Sequence, residues 1–462
     1  MAFETTPLGE LMGNKGYIRG PFGSALKRAE LKVSGIPVYE QQHAIDGIRT
    51  FRYFIDDDKY SELRRFTVEP HDLIISCSGT VGRISVIQAD DPKGIISQAL
   101  LILRPDVNKV LPHYLYYFLT SKAGAQELVN ASHGAVQLNI APRNIVEKIP
   151  IPLPTDMQVQ RKIVQQLKVI DDKIDLNCRI NQTLEAIAQA IFQSWFVDFY
   201  PVKAKIAAKA EGRNPLRAAM SAISGKADDE LDALPAEQYE QLATTAVLFP
   251  EEMETVAVAE VPKGWALAAL STVCDLNANS WSAKTLPASV KYVDLANTKN
   301  GEVIEIQTLE GPHIPSRARR ILEVGDTIVG TVRPGNRSFA LVGEAGLTGS
   351  TGFAVLSPKE SYLREYVYLA ATADANIERL AHLADGGAYP AVRPELVVSD
   401  ALPIPPEDLL REFHRISACM LDHVMEVRRA NKDLADLRDA LLPKLLSGEL
   451  SVEAPAEAAG AA

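Results

Sequence analysis

The chain has 462 residues, which at about 100–200 residues per domain excludes one small domain and favours several compact units. Hydrophobic residues make up 47% and charged residues 23%. That is enough apolar matter for real cores, yet the longest apolar runs fall short of the roughly 18 residues a membrane-spanning helix needs. The net charge of −11 argues against a uniformly basic nucleic-acid binder, but it is unevenly distributed.

Residues 1–154 carry 17 Lys and Arg against 16 Asp and Glu, and residues 262–405 carry 13 against 15. The acidity lies almost wholly outside these two near-neutral blocks, so overall charge says little about what they bind. Cys77, Cys178, Cys274 and Cys419 are scattered without CxxC spacing. That excludes a disulfide framework and a cysteine zinc site, and fits a reducing cytoplasm. Met1–Thr5 has neither a basic nor an apolar stretch, so no secretory signal is expected.

In chain order, residues 1–154 read as a β-rich α/β domain. Short β-prone runs at Asp72–Cys77, Arg83–Ile87 and Ile95–Leu103 are separated by turn residues. One helix is expected near His113–Ala131. The proline-rich Ile149–Pro154 then ends the block, because proline continues neither sheet nor helix. Residues 155–199 follow as a long helix with a heptad seam. Ile163, Ile170, Asn177, Leu184 and Ile191 fall at d, and Leu167, Ile174, Asn181, Ala188 and Trp195 at a.

Residues 200–261 lack a long apolar period and read as a linker or insert with one or two short helices. A second β-rich block covers 262–405. Its runs lie at Thr327–Val332 and Ser338–Val342, Gly343–Gly352 reads as a turn, and one helix is expected near Arg364–Leu383. A second long helix spans 406–448, with Phe413, Met420, Val427, Leu434 and Leu441 at d and Ser417, Val424, Asn431, Arg438 and Leu445 at a. The tail from 449 is alanine-rich, and disorder is expected there. Asn181 and Asn431 hold equivalent seam positions; they either face solvent where the seam drifts or set the register from inside.

The halves superimpose at an offset of about 250 residues. Asp72-Leu-Ile-Ile answers to Asp326-Thr-Ile-Val, His113-Tyr-Leu-Tyr to Glu365-Tyr-Val-Tyr, and Ile149-Pro-Ile-Pro to Leu402-Pro-Ile-Pro. The expected fold is therefore mixed α/β: two β-rich domains alternating with two long helices in a pseudo-two-fold repeat.

Catalytic motifs are missing from this sequence. There is no GxxxxGK[ST] phosphate loop, no HExxH and no Asn-Pro-Pro-aromatic motif. Asp106 with Lys109 lacks the second acidic partner a nuclease set needs, and the glycines at 343, 346, 349 and 352 read as a hairpin loop.

What remains is polar loops suited to phosphates and base edges, for which a solvated surface is the alternative reading. In the first block these are Lys15, Arg19, Lys27 and Arg28 around Gly20-Pro-Phe-Gly-Ser, then Arg49, Arg52, Arg64 and Arg65 around Phe51-Arg-Tyr-Phe. Thr80 lies within Gly79-Thr-Val-Gly and Arg83 follows it, and Gln137 and Asn139 follow the expected helix. In the second block they are Arg317, Arg319 and Arg320, then Arg333, Asn336 and Arg337 at a turn, and Tyr389 and Arg393 after the helix.

This organisation resembles the DNA-specificity subunit of Type I restriction-modification systems. The motifs that carry it run in order along the chain: Gly20-Pro-Phe-Gly-Ser, Gly79-Thr-Val-Gly, Ile149-Pro-Ile-Pro-Leu-Pro, Asn181-Gln-Thr-Leu-Glu, Trp195-Phe-Val-Asp-Phe-Tyr-Pro, Leu248-Phe-Pro, Pro262-Lys-Gly-Trp and Leu442-Pro-Lys-Leu-Leu. The first block departs from the pattern, since Pro7-Leu-Gly-Glu-Leu stands where Pro-x-Gly-Trp is expected.

The resemblance implies two target-recognition domains, each reading half of a split site in double-stranded DNA. It implies antiparallel helices that space the domains and dock two methyltransferase subunits, with restriction and translocase subunits joining later. It also implies a cytoplasmic chain without catalysis or cofactor of its own. S-adenosylmethionine would belong to the methyltransferase partners, and ATP and Mg to the restriction partners. The alternative from another class is a coiled-coil scaffold whose two modules bind proteins or glycans.

Overall fold

The computed structural model describes residues 3–22, 25–78, 80–133, 139–140, 142–257, 259–384 and 390–450; for 132, 133 and 139 only the backbone is described. Contacts divide the chain into two units. One holds the residues up to Leu176 and those from Ala430 onward, and the other holds Asn177–Arg429.

In the first unit, the globular domain opens and closes on one stem: strand Phe3–Pro7 pairs antiparallel with Pro150–Pro154. Above it lies a four-stranded antiparallel sheet in the order Met12–Arg19, Leu100–Pro105, Leu73–Ser76, Ile84–Val86. A smaller sheet joins Phe54–Ile55, Ile36–Tyr39 and Ile95–Ile96, the last two parallel. Leu73, Ile75, Leu101 and Leu103 face one core and Ile74, Leu100 and Ile102 another, as the two-residue period of a doubly covered sheet requires.

The second unit repeats this plan. Its stem is Ala266–Ala269 with Ala401–Ile404. One four-stranded sheet runs Cys274–Leu276, Phe353–Pro358, Thr327–Gly330, Phe339–Leu341, and a second four-stranded sheet again contains one parallel pair, Ser289–Val293 with Leu347–Ser350. The repeat reaches single atoms. The Tyr114 hydroxyl donates to the Pro152 carbonyl at 2.8 Å in one domain, and the Tyr366 hydroxyl to the Pro403 carbonyl at 2.7 Å in the other. Asp72 accepts the Glu69 backbone N–H at 2.7 Å, and Asp326 that of Glu323 at 2.8 Å.

Several expectations need correction. The single helix at His113–Ala131 is two, Pro112–Thr120 and Lys122–Asn130. The break falls at Ser121, whose hydroxyl caps the second helix by accepting from Gly124 at 3.1 Å. A Cβ at Gly124 would lie 2.0 Å from the Phe118 carbonyl oxygen, so the tight turn requires glycine. The counterpart at Arg364–Leu383 also splits, into Arg364–Thr372 and Asp374–Ala384. The run Ile95–Leu103 is two strands in two sheets. The turn expected over Gly343–Gly352 contains strand Leu347–Ser350, buried throughout between two neighbours; glycine spacing concealed a central strand. Residues 200–261 hold three α-helices, Tyr200–Ala210, Pro215–Ser224 and Ala236–Val247, which bury Ala219, Met220, Leu231 and Ala246 in a small core of their own.

The long helices are Met157–Phe192 and Glu407–Leu446. Within each unit they run antiparallel. In the first, Ile163 and Leu167 cluster with Leu442, Leu445 and Leu446, and Asp171 meets Arg438 at 2.9 Å. In the second, Asn181 reaches the Val424 carbonyl at 3.4 Å and Phe192 packs on Phe413. Asn181 is 5% exposed, which places it inside the seam. Asn431 is half-buried.

Three of the motifs that carry the family resemblance, Trp195-Phe-Val-Asp-Phe-Tyr-Pro, Leu248-Phe-Pro and Pro262-Lys-Gly-Trp, converge in the second unit. Trp195, Phe196, Phe199, Phe249, Trp265, Tyr366 and Phe413 form one aromatic core. There the helix loosens into a π-turn at Gln193–Val197 and ends at Phe199 with φ +55°.

Asp72 is fully buried, and its carboxylate takes two hydrogen bonds from Arg104, Nε at 2.7 Å and Nη2 at 2.8 Å. Arg104→Ala strands that charge. The expected loss is about 2–4 kcal/mol, reduced from the fully buried case because Arg104 is partly exposed. Adding Asp72→Asn is expected to restore part of it. Urea unfolding of the single and double variants measures both effects.

Candidate nucleic-acid interface

The polar loops named from sequence fall into three groups. In the first, the guanidinium is already engaged. Arg49 donates from Nε to Asp91 at 2.7 Å, from Nη2 to Ser85 Oγ at 2.9 Å and the Val86 carbonyl at 3.1 Å, and from Nη1 to the carbonyls of Gly47 and Ile48 at 3.1 Å. Arg52 grips Glu40 through two bonds of 2.8 Å and lies 4.7 Å from the Tyr53 ring. Arg317 donates to the Tyr292 hydroxyl at 2.9 Å and to Asp294 at 3.3 Å. Arg337 holds Asn300 at 3.1 Å and Asp374 at 2.6 Å.

The second group is exposed: Lys15, Lys27, Arg28, Arg64, Arg65, Thr80, Arg83, Arg333, Asn336 and Arg393. None of its basic side chains forms an ion pair among the described residues. Arg64 and Arg65 share a short 3₁₀ turn, and Arg65 covers the Phe66 ring at 4.4 Å. That contact orients its head at little entropic cost.

The third group is half-buried. Arg19, Arg319 and Arg320 each keep one N–H out of solvent with no partner among the described residues. Burial pulls the Arg320 pKa down, with Glu395 acting in the opposite direction. An unpaired buried donor costs about 1–3 kcal/mol, which an incoming acceptor would relieve. Gln137 and Tyr389 lie outside the described residues, and only the backbone of Asn139 is described.

The fold brings pairs of these loops together. In the first domain Ile140 N–H donates to the Cys77 carbonyl at 3.0 Å, setting the segment after the helix pair beside the loop of Thr80 and Arg83. In the second, Val392 N–H donates to Thr331 at 2.9 Å and Arg333 N–H to Pro390 at 2.8 Å, setting Arg393 beside Arg333 and Asn336. The turn between is strained, because Arg333 and Arg337 both take left-handed conformations, φ +47° and +59°. Each costs about 1–2 kcal/mol for a residue with a Cβ, and such strain concentrates at functional loops.

Sequence reasoning missed a cleft of about 400 Å³ in the first domain, where Arg28 and Arg52 meet Gln41, Gln42, Ser97 and Gln98. At its edge Gly20 passes so close that a Cβ would sit 2.0 Å from the Ser97 carbonyl oxygen, which only glycine allows. The adjacent glutamines after strand Ile36–Tyr39 are the signal the sequence offers for it, and they carry no charge. No group of three His, Cys, Asp or Glu side chains among the described residues is arranged to hold a metal. No helix among them is long and apolar enough to cross a membrane.

Residues 30–186 match the family described as Type I restriction modification DNA specificity domain. The Type I restriction enzyme HindI specificity subunit of Haemophilus influenzae is 29% identical over 395 residues, covering 80% of this chain and 84% of that protein. The MjaIX specificity subunit of Methanocaldococcus jannaschii is 23% identical over 352 residues, covering 74% and 70%. Among solved structures, the Type I system S subunit from M. genitalium aligns over 96% of each chain at 13% identity and a TM-score of 0.49. The HsdS subunit from Thermoanaerobacter tengcongensis aligns over 97% of each at 16% and 0.33. The chain is thus similar to the Type I restriction enzyme specificity subunits, and residues 30–186 match that family's DNA specificity domain.

Proposed function

We propose that this chain supplies the DNA sequence specificity of a Type I restriction-modification assembly, each globular domain reading one part of a divided target in duplex DNA. The observation that carries this reading is the repetition of a whole domain. Stem, sheet order, parallel pair, helix pair and the adjoining polar loops recur in each half. A repeated unit implies repeated work.

The chain contributes recognition and leaves chemistry to partners. On this reading two methyltransferase subunits dock on the long helices and bring S-adenosylmethionine. Restriction subunits bring ATP and Mg, and the assembly works in the cytoplasm. Because neither domain is net basic, partner subunits also supply much of the phosphate contact that sets affinity.

The closed stems make a direct test available. Strands Phe3–Pro7 and Pro150–Pro154 bring the two ends of the first domain side by side. Residues 8–148 are therefore exchangeable for the matching block of a related protein without moving the stem. Such a chimera, co-expressed with its methyltransferase, is expected to change one part of the methylated motif and leave the other unchanged. Change in both parts together contradicts independent reading.

The loop groups separate in a binding experiment. Arg64→Ala and Arg65→Ala are expected to weaken DNA binding by the assembly evenly across sequences and to lower the salt slope by about one each. Arg49→Ala is expected instead to lower the thermal stability of the first domain, since Asp91 loses its ion pair and keeps, among the described residues, only the Gln88 backbone N–H. Titrations at several salt concentrations, paired with thermal melts, distinguish the two.

A further inference from the structure

The cleft in the first domain has a mixed lining. Val38, Leu26, Leu31 and Ala99 are apolar, and its remaining wall is polar. Some of that polar wall is committed. Glu40 and Arg52 satisfy each other, and Gln41 Nε2 donates to the Ser78 carbonyl at 2.6 Å. Three head groups are not: the side chains of Arg28, Gln42 and Gln98 are exposed and have no hydrogen-bond or ion-pair partner among the described residues.

The two free amides stand on fixed backbone. Gln42 lies on the short helix Gln41–Ile45, held by buried His43, whose Nε2 is 3.0 Å from the Thr50 carbonyl and whose ring stacks on Phe51 at 4.6 Å. Gln98 follows Ser97, whose backbone N–H donates to the Tyr39 carbonyl at 2.8 Å and whose carbonyl is pressed against Gly20. Side chains on rigid supports hold a recognition geometry more precisely than those on mobile ones.

Resting on the DNA-specificity reading, we propose that Gln42 and Gln98 are base-reading residues of the first domain, each accepting and donating to the major-groove edge of an adenine, while Arg28 holds the neighbouring phosphate. The carboxamide carries a donor and an acceptor side by side, matching adenine N7 and N6–H₂ in one plane. Arg28 offers donors only, which suits a phosphate oxygen at the cleft mouth. The locked Glu40–Arg52 pair forms a wall and does not read.

The test is selection from a randomised duplex pool by the full chain, alone and with a co-purified methyltransferase subunit. Wild type is compared with Gln42→Ala, Gln98→Ala, Gln42→Glu and Arg28→Ala. Each alanine variant at glutamine is expected to lose roughly 5- to 150-fold of its preference at one A·T pair and keep the rest of the motif. Gln42→Glu, on an exposed position, is expected to shift that pair toward C·G, because a carboxylate accepts from cytosine N4. Arg28→Ala is expected to weaken every sequence alike.

If the glutamine variants keep the wild-type motif, or weaken all positions together, the proposal is overturned while the DNA-specificity reading stands. If wild type enriches no sequence with or without its partner, that reading fails as well.

Discussion

A buried tyrosine hydroxyl fastened to a carbonyl of a proline-rich strand ties each globular domain to the start of its long helix. Tyr114 holds Pro152 five residues before Met157, and Tyr366 holds Pro403 four residues before Glu407. The prolines cannot donate to a sheet, so each strand stays at the edge of a two-stranded stem before the chain leaves the domain. Both tyrosines are almost wholly buried, and a hydroxyl in such a place keeps its proton and needs an acceptor. The repeated hydrogen bond therefore fixes where the globular domain stops and the long helix begins.

A second polar contact locks each domain sideways onto the helices within its own unit. In the first, Tyr117 donates to Asp171 at 2.6 Å, and Asp171 accepts from Arg438 at 2.9 Å. In the second, Arg428 bridges Glu185 and the Gly301 carbonyl, both at 2.8 Å, close to the Tyr368 hydroxyl. A Cβ at Gly301, whose φ is +87°, would lie 2.8 Å from the Tyr368 hydroxyl and 3.2 Å from Glu185 Oε1. Charged hydrogen bonds at half-buried sites add orientation more than net stability. Asn181 serves the same end in the seam: it donates once, and its carbonyl oxygen is buried without a partner among the described residues. Register is specified there at some cost in stability.

The sequence made the repeat, the heptad seam and the proline boundaries legible because each is a periodic or punctuating signal. Ile163, Leu167, Phe413, Ser417 and Val424 are buried as the heptads require. The helix breaks at Ser121 and Ala373 were hidden, because apolar periodicity runs through them and only the Ser121 cap and the close contact at Gly124 mark one of them. The strand Leu347–Ser350 was hidden by its glycines, which imitate a loop until its two neighbours are known. Among the candidate contacts, sequence named cations well but could not tell a committed one from a free one. Arg49 and Arg64 look alike in the chain, yet one is saturated by its own domain and the other is exposed. The cleft joins residues up to 73 positions apart, from Leu26 to Ala99, and no local pattern announces it.

The central claim is that two similar domains read two separate parts of one target. Mapping every methylated position in a host that lacks other modification systems, with this chain and its methyltransferase expressed together, tests it most directly. The account predicts a single divided motif, with two specified parts separated by positions of no preference. One continuous motif, or methylation without sequence preference, would contradict it.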